Sequence, residues 1–545
     1  MTHTSVIQSN AHTMVMRKPG LALAASTFLP RIENSVVNAR ADALRQRPNL
    51  GVDVANASAA LAAGVTQRLL GRVQECEFRP MRLFNGVYLQ LHGYMLRAAT
   101  TNCQLNSEQM VALALASCKY DRGYFHITTR QTVQFNWISL ASAAKLAQLL
   151  SKVGLSSLHT SGNCVRQITR DPLWGISLDE TIDATSLVNT LKQQIVLDPA
   201  MESLPKKVKI CVWSAYKDRV LGQFNDIGIR LTAGGGLITL GGGLGRAPAA
   251  GARLIKLRQR LIAHWVLAFL RVYNALSSTC RYSLRTKFLV RKLGKLALFK
   301  LTGCELNSNA RALATLPARA SEVRLKCVDV VRWLNSHKFE QWYSKYTWSQ
   351  RVLGSRWVLV GTSAPPGDVT AASAIALATL IQQYCMDQIR LTLSQTFLIP
   401  WMPTANAVNV FAVCSRYLPH NVVCCPGLDY CTLANARSIM LASKLMLLKT
   451  TLNIRVSGCV NACSQHHVFD IGIVGVLKSN AEAYQVFVGG NARAGQIAKP
   501  ISRAVSARKV VTLVHRYCEL VRLLLKDRFE CAYACCLRVR VSLCS

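Results

Sequence analysis

The sequence predicts a mixed α/β (α+β) chain that is internally duplicated and folds with pseudo-twofold symmetry. Three observations predict it. Apolar periodicity runs in a β-α-β-β-α order from residue 87 to 154, the same order returns from residue 356 to 401, and short matched strings link the two regions without changing order.

The elements follow in turn. The first 75 or so residues have weak periodicity, with an Ala-rich segment, 52-VDVANASAALAAGVTQ-67, that fits a helix or a surface wrap. Segment 87-VYLQLHGYMLRAAT-100 reads as strand, 107-SEQMVALALASCKY-120 as helix, 124-YFHITTRQTVQFNW-137 as strand, turn and strand, and 142-SAAKLAQLLSKVG-154 as helix. That is the order of a split βαβ, ferredoxin-like unit. Later, residues 356–370 read as strand and turn, 371–386 as helix and 389-IRLTLSQTFLIPW-401 as paired strands.

The matched strings are 129-TRQTVQF-135 with 393-LSQTFLI-399, 224-FNDIGIR-230 with 469-FDIGIVG-475, and 240-LGGGLGRA-247 with 488-VGGNARAG-495, a period near 250 residues. The halves differ chemically: where the second has 456-VSGCVNAC-463, the first is aligned as 208-VKICVWSA-215. The expected layout is an extension or wrap over 1–75, half-domains at 76–149 and 346–402, and larger domains at 150–345 and 403–545. The seam between duplicated halves is a natural place for a large cofactor.

The 545 residues are 50% hydrophobic, which fits a folded, multidomain chain. No apolar run approaches a membrane span, and the N-terminus lacks the basic, apolar and small-residue order of a signal peptide, so a cytoplasmic location is expected. Lys and Arg number 65 against 27 Asp and Glu, a formal charge of +38, densest over 252-ARLIKLRQRLIAHW-265 and 281-RYSLRTKFLVRKLGK-295. A basic nucleic-acid-binding protein is the rival that this charge suggests. The charge is spread along the chain without a nucleic-acid motif, and it also suits an acidic electron donor or anionic substrates. Most of the 20 cysteines are isolated and read as buried thiols rather than a disulfide scaffold. The tail cluster Cys531, Cys535, Cys536 and Cys544 lacks a clean ligand pairing.

Two cysteine pairs carry the chemistry. Cys425-x5-Cys431 and Cys459-x3-Cys463 place four thiolates in two short clusters, enough for one [4Fe-4S] cube and unlike a zinc ribbon. With 122-RGYFHITTRQTVQFNW-137, 160-TSGNCVRQITRDPLWG-175, 204-LPKKVKI-210, 241-GGGLGRAP-248, 425-CPGLDYCTLANARS-438 and 457-SGCVNACSQHHVFDIGIVG-475, the chain resembles the sulfite/nitrite reductase hemoproteins over roughly residues 75 to 530.

The resemblance implies the duplicated fold of that family, a sirohaem and a [4Fe-4S] cluster. It makes Cys425, Cys431, Cys459 and Cys463 the cluster ligands, with Cys463 shared with the sirohaem iron. Arg97, Arg166, Lys207 and Lys209 become the residues around the substrate anion. Lys207 and Lys209 are i and i+2, so on a strand both face one side. Sirohaem carries eight carboxylates and calls for cationic and amide donors. The candidates are Arg122, Thr129, Arg130, Gln131, Gln134 and Asn136, then Thr160, Ser161, Gly162 and Asn163, then Arg246, Asn491 and Arg493. The implied activity is six-electron reduction of sulfite to sulfide, or of nitrite to ammonia. The implied donor is a ferredoxin or a flavoprotein, with no stable nucleic-acid partner and no membrane.

Gly241-Gly242-Gly243-Leu244-Gly245 resembles a dinucleotide loop but lacks a downstream acidic residue, so it reads as a place of close backbone approach. His466 and His467 fit either a cofactor-adjacent loop or a packed pair, and His126 reads as structural. The basic stretch 275–295 and the C-terminus depart from the family pattern.

Overall fold

The computed structural model describes residues 48–202, 204–278, 284–309, 337–350, 354–363 and 367–527. Cys531, Cys535, Cys536, Cys544 and most of the expected N-terminal wrap lie outside the described residues. The Ala-rich segment is a helix, Pro48–Leu69, and its Leu61 and Val65 are buried.

Among the described residues, four five-stranded sheets carry the fold. The first contains β1 (Val87–Leu89), β2 (Tyr94–Ala99), β4 (Tyr124–Ile127) and β5 (Thr132–Ile138). The segment 87–100 is thus a hairpin rather than one strand: β1 and β2 pair antiparallel around the bend at residues 91–93. Its fifth strand, β13 (Asp368–Thr370), comes from the other half and pairs with β4. The second sheet repeats this arrangement. β11 (Thr347–Ser349), β12 (Ser355–Val360), β14 (Ile389–Leu391) and β15 (Phe397–Pro403) accept β3 (Gln104–Leu105) from the first half, which pairs with β14. Each half-domain therefore lends one strand to the other.

The helices between these strands start where their caps dictate. Asn106 accepts from Gln109 N–H to open Ser107–Tyr120, and Thr370 accepts from Ser373 N–H to open Ala371–Tyr384. The two helices pack together, and Leu113, Ala114, Leu377 and Ala378 are buried in one core.

The other two sheets repeat one topology. β6 (Thr169–Arg170), β7 (Ile210–Trp213) and β8 (Ile227–Thr232) run parallel, then β9 (Gly235–Leu240) and β10 (Ala252–Leu257) turn antiparallel. β16 (Val422–Cys424), β17 (Ile454–Ser457), β18 (Ile471–Lys478), β19 (Ala481–Val488) and β20 (Lys499–Pro500) do the same. Asp226 and Asp470 hold matching posts before β8 and β18. Asp226 Oδ2 accepts Lys209 N–H at 2.9 Å, and its carbonyl accepts Gly241 N–H at 2.9 Å. Asp470 Oδ2 accepts Asn453 N–H at 2.8 Å, and its carbonyl accepts Gly489 N–H at 3.1 Å.

This register corrects the alignment of the two halves. Val212 pairs with Ile229, and Val456 pairs with Ile473. Anchored on Asp226 and Asp470, 456–463 therefore corresponds to 212–219 rather than to 208–215. Leu221 and Gln465, both with left-handed backbones (φ 58° and 67°), fall on the same register. Arg219 stands where the second half has Cys463, and Ala215 where it has Cys459.

Candidate active site

The cavity at the seam has a volume of about 280 Å³ and is lined from both halves. Arg97, Arg166, Lys207 and Lys209 line it, and so do Cys425, Cys431, Cys459 and Cys463.

The cations are placed by backbone. Arg97 sits on β2 opposite Gln134 of β5. Its Nη1 donates to Thr160 O at 3.0 Å, and the Gln134 amide oxygen, turned toward it, accepts from Nη2 at 2.6 Å and Nε at 3.0 Å. Arg166 follows Val165, which bridges Val208, and Lys207 and Lys209 flank that residue. The expected alternation holds, because Val208 turns into the core and both lysines turn into the cavity. Arg166 also donates to Gly162 O at 2.7 Å and to Tyr88 Oη at 3.1 Å.

So many cations in one place perturb one another. Burial, then Arg130, Lys207 and Arg285, bring the Lys209 ammonium down to about 7 against the pull of Asp226. Burial also lowers Lys207. Burial pushes the Tyr88 phenol up, but the Arg166 and Arg97 guanidiniums outweigh it and bring it down to about 8. Tyr88 was not anticipated; as one aromatic in a strand it leaves no signal in the sequence.

The thiols sit in loops that need glycine. Cys425 follows β16, and Cys459 and Cys463 follow β17. A Cβ on Gly458 would meet Gly427 Cα at 2.6 Å, and Gly427 itself has φ 59°, so the two loops touch only as glycines. Gly458 N–H donates to Cys425 Sγ at 3.1 Å. Burial and the neighbouring Cys463 push the Cys425 thiol up to about 12, and burial raises Cys431 and Cys459. Thiols held so high become ligands only with a metal to take the proton's place. Among the described residues no three His, Cys, Asp or Glu side chains converge on one ion. Four thiols spread around one cavity suit a cube, in which each thiolate meets a different iron.

Of the other predicted residues, Thr129, Arg130, Gln134 and Thr160 line the cavity. Thr129 Oγ1 donates to Cys463 O at 2.7 Å, so it also positions that loop. Arg130 donates to Asn225 Oδ1 at 2.8 Å and Gln167 O at 2.9 Å.

The remaining candidates lie outside the lining. Arg122 lies over Trp137, 3.4 Å from its ring centroid. Gln131 is buried and bonded to Arg170 and Leu391. Asn136 accepts from Gln90 Nε2 at 3.3 Å. Ser161, Gly162 and Asn163 form the loop beneath Arg166, with Asn163 Nδ2 donating to Pro205 O at 3.3 Å. Arg246 and Arg493 are exposed, and Asn491 Oδ1 closes a turn by accepting from Arg493 N–H at 3.1 Å.

The glycine string packs against protein. A Cβ on Gly242 would meet Gln223 O at 2.1 Å, and Lys287 Nζ reaches the carbonyls of Gly243, Leu244 and Ala247. His466 and His467 are a packed pair, ring centroids 4.0 Å apart beside Phe487. His126 bridges the halves through Asp368 at 2.7 Å and Gln395 at 3.1 Å, and also reaches the cavity.

In the first half the corresponding place is occupied by an ion triad. Asp171 corresponds to Cys425: its N–H donates to Val212 O at 3.3 Å, as Cys425 N–H does to Val456 O at 3.1 Å. Arg219 donates to Asp171 Oδ2 and to Asp179 Oδ1, both at 3.0 Å.

A duplicated fold whose seam cavity is lined by four cations and four cysteines suits a redox enzyme acting on an anion. Residues 161–309 and 421–522 match the nitrite and sulphite reductase 4Fe-4S domain, and residues 88–153 and 354–415 match the nitrite/sulfite reductase ferredoxin-like half domain. A ferredoxin-dependent assimilatory nitrite reductase of Haloferax mediterranei is 25% identical over 455 residues, 75% of this chain and 76% of the relative. A ferredoxin sulfite reductase of Mycobacterium tuberculosis is 26% identical over 443 residues, 74% of each chain. The chloroplastic ferredoxin–nitrite reductase of Oryza sativa is 26% identical over 442 residues, 75% of this chain and 71% of the relative. The solved structure of the M. tuberculosis NirA protein shares the fold, with TM-score 0.73, 21% identity, and coverage of 90% of this chain and 97% of that one. The protein is an enzyme of the sulfite/nitrite reductase class. It belongs to the sulfite/nitrite reductase hemoprotein family, whose sirohaem and [4Fe-4S] cluster are its cofactors.

Proposed function

We propose that this chain is the hemoprotein component of an assimilatory sulfite reductase, working in the cytoplasm with a ferredoxin as donor. Sulfite takes up six electrons and seven protons to give hydrosulfide and three waters, so its oxygens must leave as water. The observation that carries the reading is the convergence of Arg97, Arg166, Lys207 and Lys209 on the cavity that also holds the four cysteines.

Cys425, Cys431, Cys459 and Cys463 would hold the cube, and Cys463 would be the thiolate to serve the sirohaem as well, as the family resemblance implies. Bound in this cavity, the two groups would supply single electrons for reduction of the anion. The protein's part is to attract the anion with the two guanidiniums, to hold protons at Lys207 Nζ and Lys209 Nζ, and to face the macrocycle's carboxylates with Arg130, while Thr129 and Thr160 hold the walls around them. A flavoprotein donor is the alternative to ferredoxin, which the names of the relatives favour.

Reduction of nitrite to ammonium is the second reading, favoured by the likeness to the Haloferax and rice enzymes. The four cations serve either anion. Steady-state rates with sulfite and nitrite under one small reductant decide between them: a kcat/KM about 100-fold higher for nitrite would replace the sulfite assignment.

A further inference from the structure

Gln395 and Gln131 hold the same post with different partners behind them. Cys424 ends β16, which lies at the edge of its sheet. Cys425 N–H turns inward to Val456 O at 3.1 Å, so Cys424 N–H points outward, where the ladder offers no acceptor. Gln395 Oε1 supplies one at 3.2 Å. In the first half Gln131 Oε1 does the same for Arg170 N–H of edge strand β6, at 3.0 Å.

Behind the glutamines the two copies part. The strings 129–135 and 393–399 set His126 in the place of Arg390. The sheets agree: β13 puts Asp368 opposite His126, and β3 puts Gln104 opposite Arg390. Arg390 donates to the carbonyls of Pro172 and Trp174, and a guanidinium has no acceptor to offer a glutamine. An imidazole has one. Gln395 Oε1 is committed to Cys424 N–H, and Gln395 Nε2 also donates to Ile127 O at 3.3 Å, so the same nitrogen is the donor to His126 Nε2 at 3.1 Å. The ring proton therefore sits on Nδ1 and goes to Asp368 Oδ1 at 2.7 Å. One directed line runs from Asp368, whose side chain is 20% exposed, through His126 and Gln395 to the amide before Cys425. The other holds on Cys425 come from its own domain: Ser438 Oγ donates to its carbonyl at 2.6 Å, and Gly458 N–H to its sulfur at 3.1 Å.

We propose that Asp368, His126 and Gln395 are positioning residues for the Cys425 loop, and that Asp368 acts by fixing the histidine tautomer. The inference rests on the cluster ligation proposed above and adds the residues that tie it to the first half. The line occurs in the copy that carries the four cysteines and not in its duplicate, where Arg390 replaces the histidine. Without Asp368 the ring proton is free to move to Nε2, where it would face the Gln395 donor. Gln395 then turns, and Cys424 N–H loses its acceptor. A released amide and a looser loop bring N–H and water dipoles toward the sulfurs. Both favour the more negative, reduced state of a cluster and raise its potential.

The test is a redox titration of the holoenzyme followed by EPR, with iron loss to excess bathophenanthroline disulfonate as a second readout. Asp368→Leu and His126→Leu are each expected to raise the reduced-to-oxidised ratio of the cluster at a given potential about tenfold, which is ~59 mV for a one-electron couple. Iron loss should be about tenfold faster in both. Asp368→Asn keeps an acceptor for Nδ1–H and should match the parent in both readouts. Either leucine variant decides alone should the other fail to fold. Unmoved potentials in the leucine variants overturn the proposal. So does a shift in Asp368→Asn equal to that in Asp368→Leu, which would assign the effect to the carboxylate charge. A parent chain that binds no four-iron cluster would overturn the ligation itself and this inference with it; a normal parent with unmoved variants overturns the inference alone.

Discussion

Gln131 and Gln395 are the same residue in two copies of one turn, and each reaches across the seam into the other half. Both are buried with left-handed backbones, φ 57° and 55°. Gln131 Nε2 donates to Leu391 O at 2.9 Å and Arg170 O at 2.8 Å, while its Oε1 accepts Arg170 N–H at 3.0 Å. Gln395 Nε2 donates to Ile127 O at 3.3 Å, and its Oε1 accepts Cys424 N–H at 3.2 Å. Each turn is closed by a threonine pair, Thr128 with Thr132 and Thr392 with Thr396, both at 2.7 Å. The pair thus joins a half-domain to the larger domain that carries β6 or β16.

Replacing either glutamine by leucine leaves buried backbone groups without partners. Gln131→Leu and Gln395→Leu should each lower stability by about 3 kcal/mol. Urea unfolding of the two variants should show similar losses; a loss at one site alone would mean that the two turns are not equivalent in energy.

Lys209 should be felt at the substrate. Lys209→Met is expected to leave sirohaem and cluster absorbance unchanged and to lower kcat/KM for the anion about 10²-fold. With its ammonium near 7, Lys209 carries charge below that pH and loses it above, so the parent's KM should rise as pH rises through 7. The variant's KM should lack that rise. Full turnover by Lys209→Met at saturating donor would leave the lysine as ordinary charge.

Arg285 guards the carboxylate beneath Lys209. It donates to both oxygens of fully buried Asp226, at 3.1 and 2.9 Å, while Thr286 bonds Oδ1. Arg285→Met leaves that carboxylate without its cation and should cost about 3 kcal/mol. Adding Asp226→Asn should recover part of the loss in thermal unfolding. No recovery would place the effect of Arg285 elsewhere.

His159 gives the fold an acid limit. Burial brings its imidazole down to about 4, and Phe84 packs edge-on at 4.9 Å. A folded value below the unfolded one, ~6.5, means that the unfolded chain binds the extra proton. This contribution is complete above about pH 6.5 and is lost as pH falls toward 4. Stability measured from pH 7 to 4 should fall less steeply in His159→Asn; an unchanged slope would assign the acid sensitivity to other groups.

The half-domain elements were legible because they are local. The helix at 107–120 has its cap and its apolar period within 15 residues, and the structure keeps those bounds. The strand exchange left no trace, since β3 and β13 span only two and three residues and their pairing depends on distant partners. The misplaced alignment had a physical source as well. Cys211 and Cys459 invite superposition by identity, yet Cys211 sits within β7 and Cys459 in the loop beyond β17. At the site, the four cations and four cysteines could be read from motifs. Arg122 and Arg246 could not be separated from true lining residues, because charge alone does not say which way a side chain turns. The basic stretch 275–295 gained a reason only in three dimensions, where Arg285 clasps Asp226 and Lys287 caps the glycine loop.

The triad of Asp171, Arg219 and Asp179 bears on how the molecule matures. Its counterions are encoded in the chain and present as soon as the backbone closes. On the ligation proposed above, the loops around Cys425 and Cys459 wait for iron and sulfide delivered from elsewhere. One half therefore ripens at the pace of folding and the other at the pace of supply. In iron-starved cells the same polypeptide should accumulate as half-finished molecules, alike in shape and told apart by fast amide exchange confined to residues 425–464.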